Sequence, residues 1–367
     1  MDIRFIKVSV GDHDIMYKAK KILSPVYLAL LTVILICSNY LASDITSIGL
    51  NNGEDKILVT VSIEAISFFV EEIGGPYVKV IPLVPEGVEF HHYVLTSNVM
   101  EQALKSDLLI ITGHLAWEKE LIEVVSRENS KVVILDILSD LSENLTLLKF
   151  PGTNELNLHG YWLYPKNAIV IARRITDILS NIDTDHLSYY EESYKVFRER
   201  VEKILEYARE KIISSGLAGL RIVAVTPPEQ YVLVGFGLNV CVVLTLGGLQ
   251  DIPPSVLENI RKGLTSGKYS VIIMSDLARK LHIYEYVVEL SQITNKPVIE
   301  IRTISLHGIK LYETILTYDL AKIISIKEIG TMNAYEGSNN VSFIVYILVF
   351  ILGIIALVEG VIIRRGK

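Results

Sequence analysis

Three histidines carry most of the chemistry legible in this chain. His91 stands in Glu89-Phe90-His91-His92-Tyr93-Val94-Leu95-Thr96, His114 in Ile111-Thr112-Gly113-His114, and His159 in Leu158-His159-Gly160-Tyr161-Trp162-Leu163-Tyr164-Pro165. A neutral imidazole nitrogen binds a transition metal without giving up a proton at neutral pH, so a convergence of these rings would make a metal site. His92 points away from its neighbour in an extended segment and reads as a supporting or surface residue. Further along, Thr226-Pro227-Pro228-Glu229 offers a carboxylate on a proline-fixed turn. Glu229 reads as a metal ligand or as a solvated turn residue. Asp276 reads as a ligand or as the cap of a helix starting at Leu277, and His307 is a further candidate. Two or three imidazoles with one carboxylate suit four-coordinate Zn2+, whereas more oxygen ligands favour Mn2+. Tyr161, Trp162 and Tyr164 read as groups that shield such a site from water.

The elements that must position these residues alternate between short apolar runs and stretches with helical spacing. Residues 57–63, 77–83, 108–112 and 132–135 read as strands, and 64–73, 98–105 and 118–127 as helices. Near-continuous apolar strands separated by helices imply an α/β lobe with a parallel sheet covered on both faces. His91, His114 and His159 then follow the second, third and fourth strands, where loops of an open parallel sheet converge on a crevice. A helix is expected from Pro165 to Leu179. From His186 to Ser214 there is no Gly or Pro, and Phe197, Val201, Ile204, Ala208 and Ile212 share one face. That predicts one helix roughly 40 Å long at the standard rise, a spine between two lobes. The alternation resumes with strands at 221–225, 239–244, 270–274 and 297–302 and helices at 255–264 and 277–293. The expected organisation is therefore a leader over 1–42, an N-terminal lobe over 55–164, linking helices over 165–218, a C-terminal lobe over 219–337 and a membrane helix over 341–363.

The two ends account for much of the apolar content, 50% of 367 residues with positive mean hydropathy. Lys18, Lys20 and Lys21 precede an apolar run to Cys37, the layout of a signal peptide or signal anchor. Val341 to Ile363 is long enough to cross a bilayer and is followed by Arg364, Arg365 and Lys367. The positive-inside tendency keeps those charges in the cytoplasm and the bulk of the chain outside the cell. With two cysteines there is no disulfide framework. A net charge of −7 argues against a nucleic-acid partner.

Read together, these residues give the chain a resemblance to the substrate-binding proteins of zinc and manganese ABC importers. It rests on His91, Tyr93 and Thr96; on Asp107-Leu108-Leu109-Ile110-Ile111-Thr112-Gly113 with Glu118 behind; on His159, Trp162, Leu163, Pro165, Asn167 and Ala168; and on Pro253-Pro254-Ser255 and the closing helix at Tyr312. The resemblance implies two α/β lobes joined by a long rigid helix and a cleft that captures Zn2+ or Mn2+ outside the cell. Delivery would be to a membrane permease with a cytoplasmic ATPase, and no catalysis is implied. A C-terminal membrane tether would raise the effective concentration near that permease, and it suits a cell with a single membrane, such as an archaeon. The chain departs from the pattern at Phe90 and Leu95, where the family has proline, and at Gly160-Tyr161, where one residue usually separates His from Trp. Thr226 stands where the family places a lobe-two histidine or glutamate, which would make Glu229 a displaced substitute. Arg302 lies near the usual aspartate. The resemblance thus leaves His91, His159, His114 and Glu229 as the expected metal ligands.

Two rival readings share the same residues. A surface hydrolase would use the imidazoles to hold a metal with an open water position and Glu229 as general base, but HExxH, nucleophile-elbow and phosphate-loop motifs are missing from the sequence. A receptor for a chelated metal, such as a siderophore or corrin, would want a wide cleft lined by aromatics and arginines, and Arg302 alone stands at a strand end.

Overall fold

The computed structural model describes residues 56–84, 88, 90–91, 93–246, 252–303 and 311–326. The leader, the 341–363 segment, His92 and His307 lie outside the described residues. The described chain runs β1 Ile57–Ile63, α1 Glu64–Gly74, β2 Val78–Val84, α2 Ser97–Leu104, β3 Leu108–Ile111, α3 Ala116–Glu128, β4 Val133–Asp136 and the short α4 Ile137–Asp140. The helices α5 Pro165–Ile182 and α6 Leu187–Ser214 follow. The second set is β5 Arg221–Ala224, α7 Pro227–Gly235, β6 Asn239–Val243, α8 Pro254–Thr265, β7 Val271–Ser275, α9 Asp276–Arg279, α10 Ile283–Thr294, β8 Val298–Ile301 and α11 Tyr312–Ile324.

Both sheets are parallel and have one plan, β2-β1-β3-β4 in the first lobe and β6-β5-β7-β8 in the second. The central strands are buried on both faces, which explains their unbroken apolar runs: Leu108 to Ile111 and Val271 to Ser275 are buried throughout. In each sheet the chain order reverses beside β1 or β5. Flanking loops diverge there and open a crevice at the carboxyl ends of the strands.

The expected spine is present as one uninterrupted helix, α6, 28 residues long. It buries a single stripe, Tyr190, Phe197, Val201, Ala208 and Ile212, and exposes charge elsewhere, as an amphipathic helix lying on a core does. Phe197 meets Phe69 of α1 at 6.2 Å and Tyr312 of α11 at 6.0 Å between ring centroids, and Phe69 meets Tyr312 at 5.4 Å. Spine, first lobe and second lobe thus share one apolar cluster. Tyr312 adds polar ties: its backbone N–H donates to Glu72 Oε1 at 2.5 Å and its hydroxyl to the Leu163 carbonyl at 2.9 Å. The adjacent Glu313 pairs with Arg200 of the spine at 3.1 Å.

Two sequence expectations are corrected. The helix expected over 277–293 is two pieces, α9 and α10, separated at 280–282. The Pro227-Pro228 turn is the first turn of α7, because proline is tolerated where a helix leaves its N–H groups unbonded anyway. Among the described residues no helix is long and apolar enough to cross a membrane.

Candidate metal centre

The three expected histidines come together. One ring nitrogen from each of His91, His114 and His159 lies within 4.8 Å of the other two. Ring centroids are 5.0 Å apart for His91–His159, 5.3 Å for His114–His159 and 6.2 Å for His91–His114. All three rings are half-buried, and His114 Nε2 and His159 Nδ1 are buried nitrogens with no hydrogen-bond partner among the described residues. Orphaned buried polar atoms are costly unless something absent from the protein satisfies them. A divalent cation with imidazole preference fits that requirement.

Each ring is set by its local chain. His91 stacks on Phe90 at 4.5 Å, whose carbonyl accepts from Trp117 Nε1 at 2.7 Å. Tyr93 packs on Trp117 and donates its hydroxyl to the Leu83 carbonyl at 3.1 Å, tying the segment back to β2. His159 has its backbone N–H held by Asn157 Oδ1 at 3.0 Å. Tyr161 and Trp162 are buried behind it, Tyr161 donating to the Thr112 carbonyl at 2.7 Å and Trp162 lying 5.7 Å from the His114 ring. His114 sits in the turn between β3 and α3. Glu118, fully buried, binds that turn through the backbone N–H groups of Thr112 at 2.8 Å, Gly113 at 2.8 Å and Leu115 at 3.1 Å. Burial pushes the Glu118 carboxyl above its ordinary range, against the pull of those donors.

Burial first, then the neighbouring rings His159 and His91, depress His114 to about 3. Burial and His91 depress His159 to about 4. A charged imidazolium is penalised both by lost solvation and by like charges nearby. At neutral pH these two rings are neutral, so capturing a cation releases no proton from them.

A profile of the zinc-uptake complex component A (ZnuA, periplasmic) family matches residues 59–323, most of the chain. The chain belongs to that family. Among similar curated proteins, the manganese ABC transporter substrate-binding lipoprotein ScaA of Streptococcus gordonii is 25% identical over 169 residues, 44% of this chain and 53% of the relative. The corresponding PsaA lipoprotein of Streptococcus pneumoniae is 24% identical over 164 residues, 42% of this chain and 51% of the relative. The chain thus spans about half the length of the curated relatives it matches. Among solved structures, the binding protein FpvC of Pseudomonas aeruginosa in complex with Ni2+ aligns with a TM-score of 0.62 at 17% identity, covering 77% of this chain and 100% of that one. The periplasmic zinc-binding protein TroA of Treponema pallidum aligns at 0.61 and 17%, covering 74% and 99%. These likenesses bear out the fold of two parallel sheets flanked by helices with one long helix.

In this ZnuA-family chain the expected fourth ligand is elsewhere. Glu229 is fully buried and not part of the imidazole group. Its Oε2 accepts from the N–H groups of Val225 at 2.5 Å and Thr226 at 2.8 Å, and its Oε1 from Thr226 Oγ1 at 2.9 Å and the Ser275 N–H at 2.5 Å. Four donors fill the four lone-pair sites of a carboxylate. The reading of Glu229 as a metal ligand therefore does not hold in this structure: it is the far half of a capping box that begins α7 and stitches β5 to β7. The signal was in the sequence, since Thr226-Pro227-Pro228-Glu229 is Ser/Thr-x-x-Glu before an apolar run. Asp276 is likewise committed, its Oδ1 accepting from the Thr303 N–H at 2.9 Å, Thr303 Oγ1 at 3.2 Å and the Leu277 N–H at 3.1 Å.

What lobe two brings to the site is a wall. A Cβ at Gly160 would stand 2.7 Å from Pro228 Cα, so the residue after His159 lies directly on α7. Asn157, also buried, donates to the Pro227 carbonyl at 2.9 Å and Gln230 Oε1 at 3.0 Å, and Tyr231 donates to the Asn157 carbonyl at 2.5 Å.

Proposed function

We propose that this protein is an extracellular receptor that captures Zn2+ or Mn2+ and hands it to an ABC importer, a membrane permease driven by a cytoplasmic ATPase. Three half-buried imidazoles, with one ring nitrogen from each within 4.8 Å of the others, support the reading. They make His91, His114 and His159 the proposed ligands, with Glu229 withdrawn from the set. A nitrogen-rich donor set favours Zn2+ over Mn2+, which prefers more oxygen. The relatives named for manganese keep Mn2+ open as cargo. The proposed organisation is a leader over 1–42, an N-terminal lobe over 55–164, linking helices over 165–218, a C-terminal lobe over 219–337 and a membrane tether over 341–363, which holds the receptor outside the cell beside its permease. A hydrolase reading loses its general base, because Glu229 has no lone pair left to receive a proton from water.

The test is competition titration of the purified protein against a chromophoric chelator with Zn2+ and Mn2+. Submicromolar, one-to-one binding of Zn2+ is expected, weakened at least 100-fold by His159→Ala or His114→Ala. Binding of neither ion more tightly than micromolar, or indifference to both substitutions, would sink the proposal.

A further inference from the structure

Resting on the receptor reading above, we infer that Thr112 and Glu118 form a relay that fixes the tautomer and direction of His114. The geometry decides the proton positions. Both Glu118 oxygens face backbone N–H groups, which only donate: Thr112 N–H to Oε1, and Gly113 and Leu115 N–H to Oε2. The Thr112 hydroxyl stands 2.8 Å from Oε1 and 2.9 Å from Oε2, so its one proton is directed to the carboxylate. Its remaining contact, His114 Nδ1 at 2.8 Å, must then be one in which the hydroxyl oxygen accepts. His114 therefore carries its proton on Nδ1 and presents the Nε2 lone pair, the same buried nitrogen that lacks a protein partner.

The arrangement has three consequences. The ring cannot rotate or change tautomer without breaking the Thr112 bond, so it is pre-set for a metal. The polarised Nδ1–H makes Nε2 a better electron donor, as carboxylates behind metal-bound histidines do. Finally, the Glu118 carboxyl stands behind the ring within the same turn, joined to it through the Thr112 hydroxyl. Thr112 and Glu118 are thus positioning residues, acting through His114. Among the described residues, none of lobe two enters the relay.

Thr112→Val removes the hydroxyl at nearly constant volume and keeps the backbone contacts, whereas Thr112→Ser keeps the hydroxyl. Zn2+ affinity of the full-length protein is expected to fall about 10- to 100-fold in Thr112→Val and to stay within about threefold in Thr112→Ser. In the metal-free protein, imidazole 15N shifts are expected to report His114 as the Nδ1–H tautomer, and as a mixture in Thr112→Val. An Nε2–H tautomer in the metal-free wild type, or a Thr112→Val protein binding Zn2+ like the wild type, would overturn the relay. If the wild type binds no Zn2+ at all, the receptor reading fails, while the tautomer measurement still decides the relay. If Thr112→Val does not fold, the wild-type tautomer and the Thr112→Ser affinity decide it.

Discussion

Gly160→Ala tests how tightly lobe two closes on the His159 loop, and a second glycine supplies the control. Gly160 has φ +83° and Gly152 φ +77°, so both hold a left-handed backbone that costs an alanine about 1–2 kcal/mol. They differ in what a methyl group would meet. At Gly152 nothing lies within 4 Å, whereas at Gly160 the new Cβ falls 2.7 Å from both Pro228 Cα and Pro228 Cβ. The Pro228 Cα belongs to the first turn of α7 and cannot rotate away, so either α7 or the His159 loop must shift. Overpacking of this kind costs about 1–3 kcal/mol. Gly152→Ala should therefore lose about 1–2 kcal/mol and Gly160→Ala about 2–5 kcal/mol in all. The stiffening of the unfolded chain by alanine is common to both and cancels in the difference. Urea midpoints at matched m-values measure each loss. Zn2+ affinity should fall in Gly160→Ala, because the displaced residue adjoins His159, and hold in Gly152→Ala. Equal losses from the two variants would show that Pro228 does not press on the loop in solution and would refute the close contact between lobes.

Two further perturbations probe the buried carboxyls. Glu229→Gln puts an amide N–H2 against at least one of the backbone donors of Val225, Thr226 or Ser275; a loss of about 1–3 kcal/mol in urea unfolding is expected, with Zn2+ affinity changed less than threefold. A folded Glu229→Gln protein that had lost Zn2+ binding would restore Glu229 as a ligand. Glu72 is pushed well above the ordinary carboxyl range by burial and then by the charge of Glu313. The folded protein thus keeps a proton that the unfolded chain sheds above about pH 4.5, and stability falls as pH rises from there towards the folded pKa. Glu72→Gln imitates the protonated form and should flatten that fall by up to about 1.4 kcal/mol per pH unit. Glu229, raised to about 7, and Asp319, raised by burial, keep their own slopes in the variant. Parallel stability–pH curves for wild type and Glu72→Gln between pH 5 and 8 would refute the assignment.

Most of the fold was legible because the strands are buried on both faces and the helices on one. Apolar runs therefore announced every strand within a residue or so, and the Gly- and Pro-free stripe from Phe197 to Ile212 announced the spine. The failures have physical causes. The break between α9 and α10 falls at Lys280-Leu281-His282, with no Gly or Pro to mark it. Pro227-Pro228 reads as a turn until Thr226 and Glu229 are taken as a capping box, the role that makes Glu229 a buried structural carboxylate. His114 was expected on one rim with His91 and His159 because all three follow strands of a parallel sheet, and the order β2-β1-β3-β4 supplies what local sequence does not, the loops after β2, β3 and β4 set around one crevice.

With all three proposed ligands on lobe one, the division of labour between lobes changes. A cation held from both sides couples binding to closure, because each lobe must move to complete the shell. Here lobe two meets the site through Pro228 and through hydrogen bonds from Asn157 and Tyr231. The Phe69, Phe197 and Tyr312 cluster and the Tyr312–Glu72 bond hold the lobes to the spine at the same time. In the proposed receptor, release would act on the loops that carry the rings. The β3–α3 turn is held firmly, since Glu118 accepts from the backbone N–H groups of Thr112, Gly113 and Leu115. The His91 segment is anchored through Tyr93 and Trp117, Tyr93 donating to the Leu83 carbonyl and Trp117 Nε1 to the Phe90 carbonyl. A permease that displaced Phe90 and Tyr93 would withdraw one imidazole of three and leave the ion on two, a site weak enough to yield its cargo.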